Sequence, residues 1–130
     1  YYTIGSTGDS SDFGNLSAVR SQMGTAASST RGVVAGGAAP SLVNIIEYFT
    51  IGSTGNATDF GDLTDARSTM KGSGNNSTRA VFCGGLDPGA SNIMDYITIA
   101  STGDAADFGD LIAATAQING VQSNGHGGLS

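Results

Sequence analysis

Apolar residues come in short bursts along this chain, each closed by glycine or small polar residues, a pattern that predicts short strands joined by turns. The strongest burst covers residues 44–51, where Asn44-Ile45-Ile46-Glu47-Tyr48-Phe49-Thr50-Ile51 mixes β-branched and aromatic side chains ahead of the turn Gly52-Ser53-Thr54-Gly55. A second, very short strand is predicted at 60–63 and a third at 64–70, where Asp65 to Met70 has enough helical character for a single turn. A fourth, Arg79-Ala80-Val81-Phe82-Cys83, is closed by Gly84-Gly85.

The same bursts return at a fixed distance. Tyr1-Tyr2-Thr3-Ile4-Gly5-Ser6-Thr7-Gly8 reappears as Tyr48-Phe49-Thr50-Ile51-Gly52-Ser53-Thr54-Gly55 and as Tyr96-Ile97-Thr98-Ile99-Ala100-Ser101-Thr102-Gly103. Asp12-Phe13-Gly14, Asp59-Phe60-Gly61 and Asp107-Phe108-Gly109 follow in phase, as do Ser29-Thr30-Arg31 and Ser77-Thr78-Arg79. The offset grows by one residue after Lys71-Gly72-Ser73-Gly74, which marks a loop. One repeat domain, 1–130, therefore contains units 1–47, 48–95 and 96–130, the last clipped and without a counterpart of the Arg-Ala-Val-Phe strand. Four strands per unit predict an all-β protein of β-propeller blades; a β-solenoid or a filament-forming β repeat is the alternative. The clipped unit, ending in a Gly-rich tail that holds His126, reads as a C-terminus, and Tyr1 in place of Met implies that an upstream part has been lost.

Composition narrows the function. Glycine supplies 21 residues and tryptophan none, so large core side chains are scarce. Eleven acidic against five basic residues give a net charge of −6, which disfavours nucleic acid and anionic membrane surfaces as partners. The single cysteine, Cys83, excludes an internal disulfide and reads as a small apolar filler, since Ala35 holds its place in the first unit. No run of 18 apolar residues occurs.

The double glycine after an apolar strand, Gly36-Gly37 and Gly84-Gly85, followed by Asn44-Ile45-Ile46-Glu47-Tyr48 or Asn92-Ile93-Met94-Asp95-Tyr96, resembles the kelch repeat. In that family the double glycine ends the second strand of a blade and an acidic-Tyr pair lies in the third. Kelch blades carry a tryptophan late in the repeat; here Phe13, Phe60 and Phe108 stand in its place. The fuller wording, Ser53-Thr54-Gly55-Asn56-Ala57 through Asp59-Phe60-Gly61-Asp62-Leu63 and on to Ser77-Thr78-Arg79-Ala80-Val81-Phe82, is similar to kelch-like repeats in virion proteins of marine bacteriophages. The resemblance implies propeller blades in a virion or another extracellular setting. A ring needs roughly four to eight blades, so other copies of the chain or upstream repeats are expected to complete it.

Little chemistry is predicted. Asp59-Phe60-Gly61 spells a kinase metal-binding triplet, but no phosphate loop or catalytic lysine accompanies it. His126 is the only histidine, so a catalytic triad has no second candidate base, and no enzyme is expected. Asp9, Asp12 and Asn15, then Asn56, Asp59 and Asp62, then Asp104, Asp107 and Asp110 repeat a three-residue step. Asp side chains accepting backbone N–H bonds in turns explain that step; Ca²⁺ held by Asp9, Asp62, Asp104 and Asp110 is the alternative. Arg20 and Arg67 share one repeat position and Arg31 and Arg79 another, and pairing with Asp12 or Asp59 is the expected role. As ligand-binding candidates, Asp12, Asp59, Asp107, Tyr48, Tyr96, Arg31 and Arg79 would meet a surface glycan or another anionic ligand group. The expected function is structural and adhesive, with a lectin-like carbohydrate-binding module as the alternative.

Overall fold

A computed structural model describes residues 1–70 and 73–117 of the chain. Lys71 and Gly72 of the predicted loop and the tail with His126 lie outside the described residues. All regular structure among the described residues is β: β1 (Gly24–Ala27), β2 (Arg31–Ala35), β3 (Ala38–Ala39), β4 (Ser41–Leu42), β5 (Ile45–Thr50), β6 (Thr58–Asp62), β7 (Ser73–Asn75), β8 (Arg79–Cys83), β9 (Leu86–Asp87), β10 (Gly89–Ala90), β11 (Ile93–Thr98) and β12 (Ala106–Asp110).

These strands make two four-stranded antiparallel meanders, β1-β2-β5-β6 and β7-β8-β11-β12, while β3-β4 and β9-β10 form two-residue ribbons after each double glycine. Each meander straddles a boundary between sequence units: its first two strands come from one copy, its third crosses the boundary, and its last comes from the next. The registers coincide: Ala35 faces Ile46 as Cys83 faces Met94, and Tyr48 faces Thr58 as Tyr96 faces Ala106. Residues 1–15 keep part of the same plan, since Tyr1 and Ser11 exchange two backbone hydrogen bonds at 2.6 and 2.7 Å.

The predicted strand at 64–70 is absent; that segment links the two meanders, and its one strand-like pairing among the described residues is the bridge between Ser68 and Leu86. Its apolar residues are spent on packing. Met70 and Leu63 join Ala26, Val33, Ala35, Ile46 and Phe60 of the first sheet, Ala80, Phe82 and Ile97 of the second, and Ile99 just past β11 in one core. Inward and outward positions alternate along β1 and β2, so each sheet offers one apolar face and the two faces share this core.

The double glycines are required by the linkers that pass them. Gly37 and Gly85 have φ near +110°, and a Cβ on either would lie 2.7 or 2.4 Å from the carbonyl oxygen of Ser21 or Ser68. Gly37 N–H donates to Arg67 O and Gly85 N–H to Thr115 O, so each double glycine pins the next linker to its sheet.

Candidate functional site

The recurring Asp-Phe-Gly triplet is a β-bulge. The β5–β6 register slips between Ile46 and Glu47, which face Gly61 and Asp59, and leaves Phe60 as the extra residue; the β11–β12 pair slips in the same way at Phe108. Glycine follows because φ at Gly61 and Gly109 is +142° and +127°. In two of the copies the aspartate bonds the glycine of its own triplet, Asp12 Oδ1 accepting from Gly14 N–H at 3.1 Å and Asp107 Oδ1 from Gly109 N–H at 2.9 Å. Turn chemistry accounts for these carboxylates, as the three-residue step suggested.

The outer edges of the first two triplets meet the following unit through one bond set. Gly55 and Ala57 donate to Phe13 O and Asn15 O at 2.8 and 2.9 Å, and Asn15 N–H donates to Asn56 Oδ1 at 3.0 Å. One unit later, Gly103 and Ala105 donate to Phe60 O and Asp62 O, both at 2.7 Å, and Asp62 N–H donates to Asp104 Oδ1 at 3.0 Å. Asp59 and Asp9 are exposed, and no group of three or more His, Cys, Asp or Glu side chains among the described residues is placed to hold a metal ion.

The arginines do not pair with Asp12 or Asp59. Arg20 pairs with Glu47, and Arg67 NH1 stands 2.9 Å from Asp95 Oδ2, both side chains fully buried. Glu47 and Asp95 are the acidic members of the acidic-Tyr pairs, facing inward from central strands, where a carboxylate must find a cation. Their other partners also recur: Ser17 N–H donates to Glu47, and the Thr64 hydroxyl donates to Asp95 Oδ1 at 2.5 Å. Arg67 further donates to Phe82 O and to the Met70 sulfur. Removing one member of such a buried pair costs about 3–5 kcal/mol, so these pairs fix the linkers to the sheets. The sequence signal that could have revealed them is an acid recurring beside a tyrosine within an apolar strand, Glu47 and Asp95.

Arg31 and Arg79 lie over the rings of Tyr48 and Tyr96, at 4.3 and 4.5 Å from the ring centroids. Each tyrosine meets a bulge phenylalanine edge-on, Phe60 or Phe108, at 6.0 Å. The structure thus gathers four of the ligand-binding candidates into two Arg-Tyr-Phe stacks, apart from Asp12, Asp59 and Asp107 on the bulges. Beside the second stack a cavity of about 230 Å³ is lined by Phe60, Tyr96, Thr98, Ser101, Thr102 and Asp104, among others.

Burial pushes the Cys83 thiol above its ordinary value, with Asp95 adding to the rise and Arg67 opposing it. A buried, protonated thiol is a filler and not a nucleophile. Compared with known proteins, the chain matches no protein-family model and no curated protein.

Proposed function

We propose that this chain is a non-enzymatic structural and adhesive repeat protein, a pair of kelch-like β-propeller blades with parts of their neighbours, working in a virion appendage or another extracellular assembly. The observation that supports it most is duplication at the level of bonds: two meanders with one register, each tied to its linker by a buried Arg-acid pair. Such construction invests its polar groups in holding units together. Its partners are other copies of the chain or further repeats, and its outward polar turns meet a neighbouring subunit or a surface glycan.

A second reading, a lectin-like propeller module, draws on the cavity beside Tyr96, where an aromatic ring, several hydroxyls and the Asp104 carboxylate converge. Ca²⁺ would enter that reading through Asp104 or Asp62. Electron microscopy of native material and a glycan array of the pure chain test the two together. Rings or fibres without selective sugar binding support the structural role. Selective sugar binding by a small closed ring sinks it in favour of the lectin, and a dispersed monomer that binds nothing sinks both.

A further inference from the structure

The geometry points to a head-to-tail contact in which the bulge edge of β12 in one copy receives residues 8–10 of a second copy, an inference that rests on the repeat-assembly reading above. The warrant is internal. The chain makes the same junction twice, residues 13–15 with 55–57 and residues 60–62 with 103–105, each through two carbonyl acceptors and one N–H held by an Asn or Asp side chain. The third edge, Phe108 to Asp110, has the same bulge and the same strand pairing. Among the described residues nothing bonds to Phe108 O, Asp110 O or Asp110 N–H.

The complementary half is present at the other end of the described chain. Gly8, Asp9 and Ser10 occupy the repeat positions of Gly55-Asn56-Ala57 and Gly103-Asp104-Ala105, and all three are exposed. Gly8 and Ser10 N–H groups would donate to Phe108 O and Asp110 O, and the Asp9 carboxylate would accept from Asp110 N–H. Sterics agree. A Cβ on Gly14 or Gly61 would lie 2.0 or 2.5 Å from the backbone of Gly55 or Gly103, whereas one on Gly109 meets nothing within 4 Å.

Two further features mark the same pair of surfaces. Arg31 reaches from the first sheet to Ile99 O at 2.9 Å, and Ile99 is completely buried there. Arg79 holds the equivalent position on the second sheet and has no such acceptor among the described residues, while Ile4, the counterpart of Ile99, is 93% exposed. Docking a second copy places Ile4 beneath Arg79 and sets Tyr2 against Phe108, as Phe49 is set against Phe13 at 5.8 Å. The backbone bonds supply register, and the two apolar side chains supply the area withdrawn from water.

The test uses the 130-residue chain carrying Cys83→Ala, with either Ser10→Cys or Asp110→Cys added, and a short bismaleimide cross-linker. A chain carrying both Asp62→Cys and Ala105→Cys serves as the folded control, since that pair is already bonded within one molecule. The expected result is a dimer band when the two single-cysteine proteins are mixed, none from either alone, and loss of that band when Gly109→Ala is added to the Asp110→Cys chain. No dimer band from the mixture, with the control cross-linked, overturns the proposal, as does an internal cross-link when Ser10→Cys and Asp110→Cys share one dilute chain. Rings or fibres seen by microscopy without the mixed cross-link would leave the assembly reading standing and this junction refuted.

Discussion

Phe60 and Phe108 occupy the same bulge in the same triplet, yet Phe60 is 3% exposed and Phe108 48%. Each lies edge-on to its own tyrosine, so the sheets are not the source of the difference. What differs is the following unit: residues 103–105 and Ile97 cover β6, and no described residue does the same for β12. Burial in this protein is conferred by the neighbour, and a repeat's sequence fixes only its readiness to be covered.

The sharpest way to break that comparison is truncation of both rings. Phe60→Ala is expected to cost about 3–5 kcal/mol, and Phe108→Ala no more than about 1 kcal/mol in the isolated chain; urea unfolding at low protein concentration checks both. Equal losses would place the determinant within the sheet. The adjoining glycines come next, because Gly61→Ala and Gly109→Ala share the same backbone strain while only the former collides with Gly103. Gly61→Ala should be worse by about 1–3 kcal/mol, the cost of overpacking, read as a difference in urea midpoints.

A smaller contrast is expected from the arginines. Arg31→Ala loses a bond to Ile99 O as well as its stack on Tyr48, so it should exceed Arg79→Ala by about 1–2 kcal/mol in the monomer. The smallest effect concerns pH. Because burial raises the Cys83 thiol in the folded state, its stabilising contribution is fully present below the ordinary value of 9.0 and is lost as pH rises through the folded value. Thermal melts from pH 7 to 11 should show an alkaline decline that is reduced in Cys83→Ala, the variant that gives the second sheet the residue found at Ala35.

Much of this was legible in the sequence. The predicted strand at 79–83 coincides with β8, the burst at 44–51 contains β5, and 60–63 overlaps β6, because β-branched and aromatic runs between glycines have few other ways to bury themselves. The segment 64–70, expected as a third strand with enough helical character for a single turn, is a linker. Met70 is buried and Ala66 half-buried in that linker, which Arg67 fastens to Asp95, a residue 28 positions away, and local periodicity is blind to such a partner. The roles of Glu47 and Asp95 are hidden in the sequence for a related reason. The two residues read as one half of a family signature, when their physical meaning is an inward carboxylate in need of a cation. The ribbons β3-β4 and β9-β10 were missed because two-residue strands have no periodicity to detect. Asp12 and Asp107 were correctly read as turn formers, since an Asp two residues before a glycine can bond that glycine's N–H locally.

The phase shift between sequence unit and sheet has a consequence for how such a protein gains and loses length. Each meander draws its first two strands and the start of its third from one unit and the rest from the next, so an excision of residues 48–95 would join Glu47 directly to Tyr96 and leave β1, β2 and a hybrid third strand to pair with β12. Unequal recombination between copies can thus cut in the middle of a strand and still return a whole sheet, which makes the number of units free to drift while the junction that links them is preserved.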